Sequence, residues 1–210
     1  MNIFANAVDY FFRGGPCMWP LLACSFAAIV IGVERLLLYR EVFSGTKFAE
    51  DFRSLMHEMK LEEAMELANN TKGDAAELAR DMLKIEDEHL GRRYEVMAYA
   101  KTDRFIEAWE RHLDYLEVII SLSPMLGLLG TITGMISSFH ALNDRLSNPL
   151  AVTAGIGEAL ITTVFGLIIS MLGVCIHSYL AGKLKRGSLD INQVADTLVN
   201  IYAIRHHLDK

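Results

Sequence analysis

Three stretches without Asp, Glu, Lys or Arg constrain this chain more than anything else in it. They run between Arg13 and Glu34, between Glu117 and Asp144, and between Glu158 and Lys183. Each is about 20 residues or longer, the length a helix needs to cross a bilayer. The spacing predicts three transmembrane helices, at 17–39, 116–140 and 155–181. The chain is 52% hydrophobic and 22% charged, too apolar for an ordinary soluble domain and too charged to lie wholly in lipid. The two properties are segregated along it, with the charge concentrated in 40–115. The first stretch follows an amphipathic segment, 1–16, and ends in Glu34-Arg35 without a small-residue cleavage site. It is therefore expected to stay as an anchor and not to be removed as a signal peptide.

Lys and Arg placement sets the expected orientation. The 40–115 segment carries Arg40, Lys47, Arg53 and more, and Lys183, Lys185 and Arg186 follow the third span. The N-terminal segment offers Arg13 and the 141–154 loop Arg145. The expected topology has an outer N-terminus and outer loop 141–154, with 40–115 and 182–210 cytoplasmic. A net charge of −6 argues against general nucleic-acid binding.

Residues 44–115 read as helical. Phe48, Phe52, Leu55, Met56, Met59, Leu61, Met65 and Leu67 recur at helical spacing, and Asn69, Asn70 and Gly73 end the run. A helix from Asp74 turns Leu78, Met82 and Ile85 inward, and Gly91 marks another turn or a local weak point. From Tyr94 to Leu122 no stop signal appears, so one helix is expected to run unbroken into the second span. Its charge pairs cannot hold it, since Asp103 with Glu107 is repulsive and Glu107 with Arg111 attractive; packing against the 44–90 helices must. Gly187 weakens the expected continuity of the third span into the tail, where Leu189, Val194, Leu198, Ile201 and Ile204 share a face. No strand alternation or internal repeat appears, and the fold class is all-α.

Two stripes of small residues stand out. In the second span Gly127, Gly130, Thr131, Gly134, Ser137 and Ser138 recur every three or four residues. In the third, Gly155, Ala159, Thr162, Gly166, Ser170 and Gly173 do likewise. Such stripes let helices approach closely in lipid, where no hydrophobic effect drives association; Gly127, Gly130, Gly134 and Gly166 are read as packing positions. The hydroxyls of Thr131, Thr162 and Thr163 supply polar points from two spans. Pro124 removes a backbone donor inside the second span, which membrane helices tolerate where neighbours satisfy the freed carbonyl.

Glu158 is the strongest single signal. An intramembrane acid is costly when ionised, so it is held neutral, paired or hydrated, as a proton relay requires. The competing reading puts Glu158 at the outer interface, where it starts a helix favourably. Glu34-Arg35 reads as an interfacial anchor or interhelical clamp. Cys17, Cys24 and Cys175 read as packing residues, with no CxxC or His partner at ligand spacing. His140, His177, His206 and His207 read as isolated or tail residues, polar filler. No nucleophile triad, metal-spaced cluster or phosphate loop appears; neither an enzyme, a metal nor a cofactor is expected.

"SPMLGLLGTITGMISSF", "GIGEALITTVFGL" and "GGPCMWPLLACSFAAIVIGVERLLL", in three successive spans, closely resemble motifs of the ExbB/TolQ/MotA proton-channel family, its ExbB/TolQ branch in particular. The resemblance implies a homo-pentamer in the bacterial inner membrane. Its second and third spans would line a pore holding the single-span helices of an ExbD- or TolR-like partner, with a TonB- or TolA-like protein beyond. By motif position, Glu158, Thr131 and Thr163 match the family's polar pore residues. On an ideal helix Glu158 and Thr163 stand about 140° apart, whereas Glu158 and Thr162 share a face. The family's AIP segment and YN pair are replaced here by Ser170-Met171-Leu172 and His177-Ser178. The implied function is a proton-channel or stator subunit coupling proton motive force to envelope work, in a TonB- or Tol-type system. The alternatives are a non-conducting assembly scaffold and a divergent stator with another output.

Overall fold

The computed structural model describes residues 11–12, 14–85, 90–143 and 149–205, with backbone alone for 141–143, 149–154 and Glu158. The helices bounded within the described residues are, in order, α1 Met18–Val42, α2 Thr46–His57, α3 Leu61–Asn70, α4 Asp74–Leu83, α5 Arg92–Glu110, α6 Leu113–Asn143 and α7 Pro149–Arg205. Among the described residues there is no strand, and three helical stretches are long and apolar enough to cross a membrane. The fold is all-α, as the hydropathy pattern requires.

The chain divides into two units. The first comprises Met1–Val33 and Leu113–Ser178. Its interior is thin: Met18, Leu21 and Ile169 are buried together, with Cys24, Leu126 and Phe165 packed against them. Large apolar side chains instead face outward, among them Phe26, Ile29, Met125, Leu128, Ile132, Leu160 and Leu167. A water-soluble unit would bury such residues; one whose solvent is lipid has no reason to.

The second unit comprises Glu34–His112 and Tyr179–Lys210, and its interior is dense. Phe48, Phe52 and Met56 of α2, Ala64 and Ala68 of α3, and Leu78 and Met82 of α4 are buried. So are Tyr94 and Trp109 of α5, and Ile191, Val194, Leu198 and Tyr202 of α7. Small alanines at i and i+4 let the short helices pack closely, and Tyr94 stacks on Tyr202 with ring centroids 3.9 Å apart. Polar ties join the same elements: Tyr99 OH donates to Asp196 Oδ1 at 2.7 Å, and Trp109 Nε1 donates to Asp74 Oδ2 at 2.8 Å. Burial pushes the Asp74 carboxyl up, against the lowering effect of that hydrogen bond.

Several expectations are corrected here. The run from Phe48 to Leu67 is two helices, separated at Glu58–Lys60 by a turn in which Met59 takes φ +58° and is exposed. The inward residues of α3 are Ala64 and Ala68, not Met65 and Leu67. Ile85 lies beyond the end of α4 and is half-buried. The helix entering the second span is interrupted at Arg111–His112. The third span, by contrast, continues as one helix through Gly187, where a Cβ would stand 2.5 Å from the Phe43 ring. That glycine makes room for an aromatic ring and ends nothing. Leu189 and Ile204 are exposed; Ile191 and Ala195 occupy the buried face with Val194, Leu198 and Ile201.

Candidate functional site

In the first unit, α6 and α7 pack antiparallel along their small residues. A Cβ at Gly127 would lie 3.1 Å from Thr163 Cα, and one at Gly134 3.0 Å from both Ala159 Cβ and Gly155 O. At Gly166 it would meet Ser123 O at 2.6 Å and Gly127 Cα at 3.1 Å. At Gly130 it would run into the Thr162 side chain, and at Gly155 into the Ser138 hydroxyl. All four glycines assigned to packing thus lie against the partner helix.

Hydroxyls of α7 then bond to backbone carbonyls. Thr163 Oγ1 donates to Gly127 O at 2.9 Å. Ser170 Oγ donates to Ile120 O at 2.8 Å. Ile120 is four residues before Pro124, so its carbonyl is the one that the proline ring leaves without a helical N–H; Ser170 supplies the missing donor. Two turns further on, His177 Nε2 lies 3.3 Å from Glu117 Oε1. Residues 163, 170 and 177 fall at steps of seven, which on an α-helix is one face. The expectation that His177 is isolated is therefore corrected, and Ser170 has a role beyond its size. The position four before Pro124 was the sequence signal for that role.

Thr162 is fully buried and its hydroxyl donates to Gly14 O at 2.7 Å. Thr131 is half-buried and its hydroxyl donates to Leu128 O at 2.6 Å, within its own helix. Thr163 is thus brought to Gly127, and Thr162 to Gly130 and Gly14, while the Thr131 hydroxyl bonds locally. The backbone of Glu158 belongs to α7; its side chain lies outside the described residues. His206 and His207 lie outside them too. The three cysteines are free thiols, Cys17 and Cys24 half-buried and Cys175 exposed. Among the described residues no group of three His, Cys, Asp or Glu side chains is placed to hold a metal ion.

The Glu34-Arg35 pair belongs to the second unit, where it forms a polar cluster with the end of α5. Arg35 is 3% exposed. Its NH1 donates to Ala108 O at 3.0 Å and Trp109 O at 3.2 Å, and Tyr39 OH donates to Trp109 O at 3.0 Å. In an uninterrupted helix those two carbonyls would serve the N–H groups of His112 and Leu113. Here they carry a guanidinium and a phenol, and the helix breaks at Arg111–His112. Arg35 NH2 reaches Glu34 Oε1 at 3.3 Å and His112 Nδ1 at 2.7 Å. The sequence offered the pair, but no signal for His112, which is remote in the chain.

The profile of the MotA/TolQ/ExbB proton channel family matches residues 69–193. A Synechocystis sp. protein named as a biopolymer transport protein, ExbB-like 1, is 31% identical over 82% of this chain and 70% of its own length. The biopolymer transport protein ExbB of Aquifex aeolicus is 27% identical over 90% of each chain. The Tol-Pal system protein TolQ of Haemophilus influenzae is 32% identical over 47% of this chain and 44% of its own. Together with the three apolar helices, these relatives point to an inner-membrane protein. The chain belongs to the MotA/TolQ/ExbB proton channel family.

Proposed function

We propose that this chain is the proton-channel, stator-like subunit of an inner-membrane motor that couples the proton motive force to work on the cell envelope. The observation that carries the reading is the close pairing of α6 and α7. It holds the span bearing Glu158 in fixed register against the span bearing Thr131, inside the region matched by the family profile. In this reading five copies surround the single-span helices of an ExbD- or TolR-like partner, and a TonB- or TolA-like protein carries the output. Glu158 takes up and releases the proton, and Thr131 offers a hydroxyl beside its path. Thr162 and Thr163 border the same path while tying the helices together. The N-terminus is periplasmic, and 40–115 and the C-terminus cytoplasmic, following the Lys and Arg distribution.

The test is proton flux into liposomes carrying this protein with and without its partner. Glu158→Ala and Thr131→Val are expected to abolish partner-dependent flux while oligomer assembly, read by native mass spectrometry, is unchanged. Full flux in both variants would sink the reading. No flux from the parent protein in either condition would favour the assembly scaffold.

A further inference from the structure

His112 Nδ1 sits between a donor and an acceptor that make opposite demands on it. It is 2.7 Å from Arg35 NH2, a cation that can only donate. It is also 3.0 Å from both oxygens of Glu34, which as a carboxylate can only accept. A bare Nδ1 accepts from Arg35, and the Glu34 carboxylate then faces a lone pair. A protonated Nδ1 donates to Glu34, and Arg35 NH2 then faces an N–H at hydrogen-bond distance. One ring nitrogen cannot satisfy both.

We infer that His112 Nδ1 is a proton-binding site whose occupancy exchanges the imidazole's partner from Arg35 to Glu34. The exchange is felt along the chain because Arg35 holds the end of α5 with its other nitrogen, through the carbonyls of Ala108 and Trp109. Arg35 is buried, and its Nε finds no acceptor among the described residues. Losing the His112 bond therefore leaves a buried cation with fewer partners, a condition that favours its displacement. Among the described residues, other groups facing the cluster include Tyr39, whose phenol shares the Trp109 carbonyl, and Glu110, whose charge acts on that phenol. Asp74 reaches Trp109 from α4 through its indole, and α7 approaches through Gly187 against the Phe43 ring. Among these groups only His112 has one atom within reach of both partners.

Hydrogen–deuterium exchange of the full chain in lipid nanodiscs tests it, on the peptide covering 108–116 and with intrinsic exchange rates corrected for pH. Moving from about pH 8 to about pH 6, the parent is expected to lose protection there by roughly five-fold or more. His112→Asn, which does not titrate, should lose that response. His112→Lys, a fixed cation beside Arg35, should be poorly protected at both values. Glu34→Gln, which removes the charge that draws the proton, should show a weaker response than the parent. Unchanged exchange in the peptides of α3 and α4 establishes that each variant is folded. A parent-like pH response in His112→Asn overturns the inference, as does a parent with no response. The ¹⁵N shift of His112 Nδ1 supplies a second reading: it should change with pH in step with the exchange, and independence of the two would also overturn the inference.

Discussion

Ser170 donates its hydroxyl to the carbonyl of Ile120, the one carbonyl of the second span that Pro124 deprives of its helical partner. The two residues are on different helices and 50 positions apart, yet together they make a proline tolerable in the middle of an apolar helix. In hydrocarbon no water could take Ser170's place.

This relationship predicts a coupled effect. Ser170→Ala should destabilise the protein by about 1–2 kcal/mol, because it orphans a part-buried acceptor that hydrocarbon cannot satisfy. In a Pro124→Ala background, residue 124 has an N–H for Ile120, and the same change should cost less than half as much. A double-mutant cycle from denaturant titrations in micelles measures the difference. Equal costs in the two backgrounds would show that Ser170 does not serve the proline.

Two glycines of α7 separate packing from mere smallness. A methyl at Gly166 would press on the backbone of Ser123 and Gly127, whereas one at Gly157 meets nothing within 4 Å. Gly166→Ala is expected to cost about 1–3 kcal/mol, the usual penalty of overpacking. Gly157→Ala should be neutral or slightly stabilising, since alanine is the better helix former. Thermal unfolding of the two purified variants decides the matter, and similar losses in both would contradict the contact geometry.

Asp74 gives a stability dependence on pH with a definite sign. Its carboxyl is raised above the ordinary 3.8 by burial, so the folded protein holds that proton more tightly than the unfolded chain. Its contribution to stability therefore falls as pH rises from the ordinary carboxylate value through the raised one. Asp74→Asn keeps an oxygen to accept from Trp109 and removes the charge. At neutral pH the variant should be at least as stable as the parent, and any advantage should vanish as pH drops below the ordinary carboxylate value. Chemical denaturation at about pH 7 and about pH 3 tests this; a clearly less stable variant at neutral pH contradicts it.

The elements legible in the sequence are those whose physics is local. Uninterrupted apolar length marked the three spans, and Gly73 and Gly91 marked turns because both adopt positive φ. The break at Arg111–His112 was invisible because nothing near it is glycine or proline. The groups that meet its free carbonyls, Arg35 and Tyr39, are more than 70 residues away in the chain. Met59 misled for a related reason: its apolar side chain fits a helical period, but its backbone sits at positive φ and its side chain in solvent. At Gly187 a familiar helix breaker is a space for Phe43, and only the neighbour distinguishes the two uses. In the candidate site the small-residue stripes were readable. The division of labour among the threonines was not, because a hydroxyl's partner depends on which carbonyl the opposite helix presents.

The bonds from Thr163 and Ser170, seven residues apart, also restrict what α6 and α7 can do together. A slip of one residue along the shared axis would displace both hydroxyls by about 1.5 Å relative to their carbonyls and drive Gly166 or its neighbours into the opposing backbone. The two spans are keyed to one another, like a rack engaged at several teeth. Sliding of one span along the other would disturb these contacts together, so the pair is expected to move as one body.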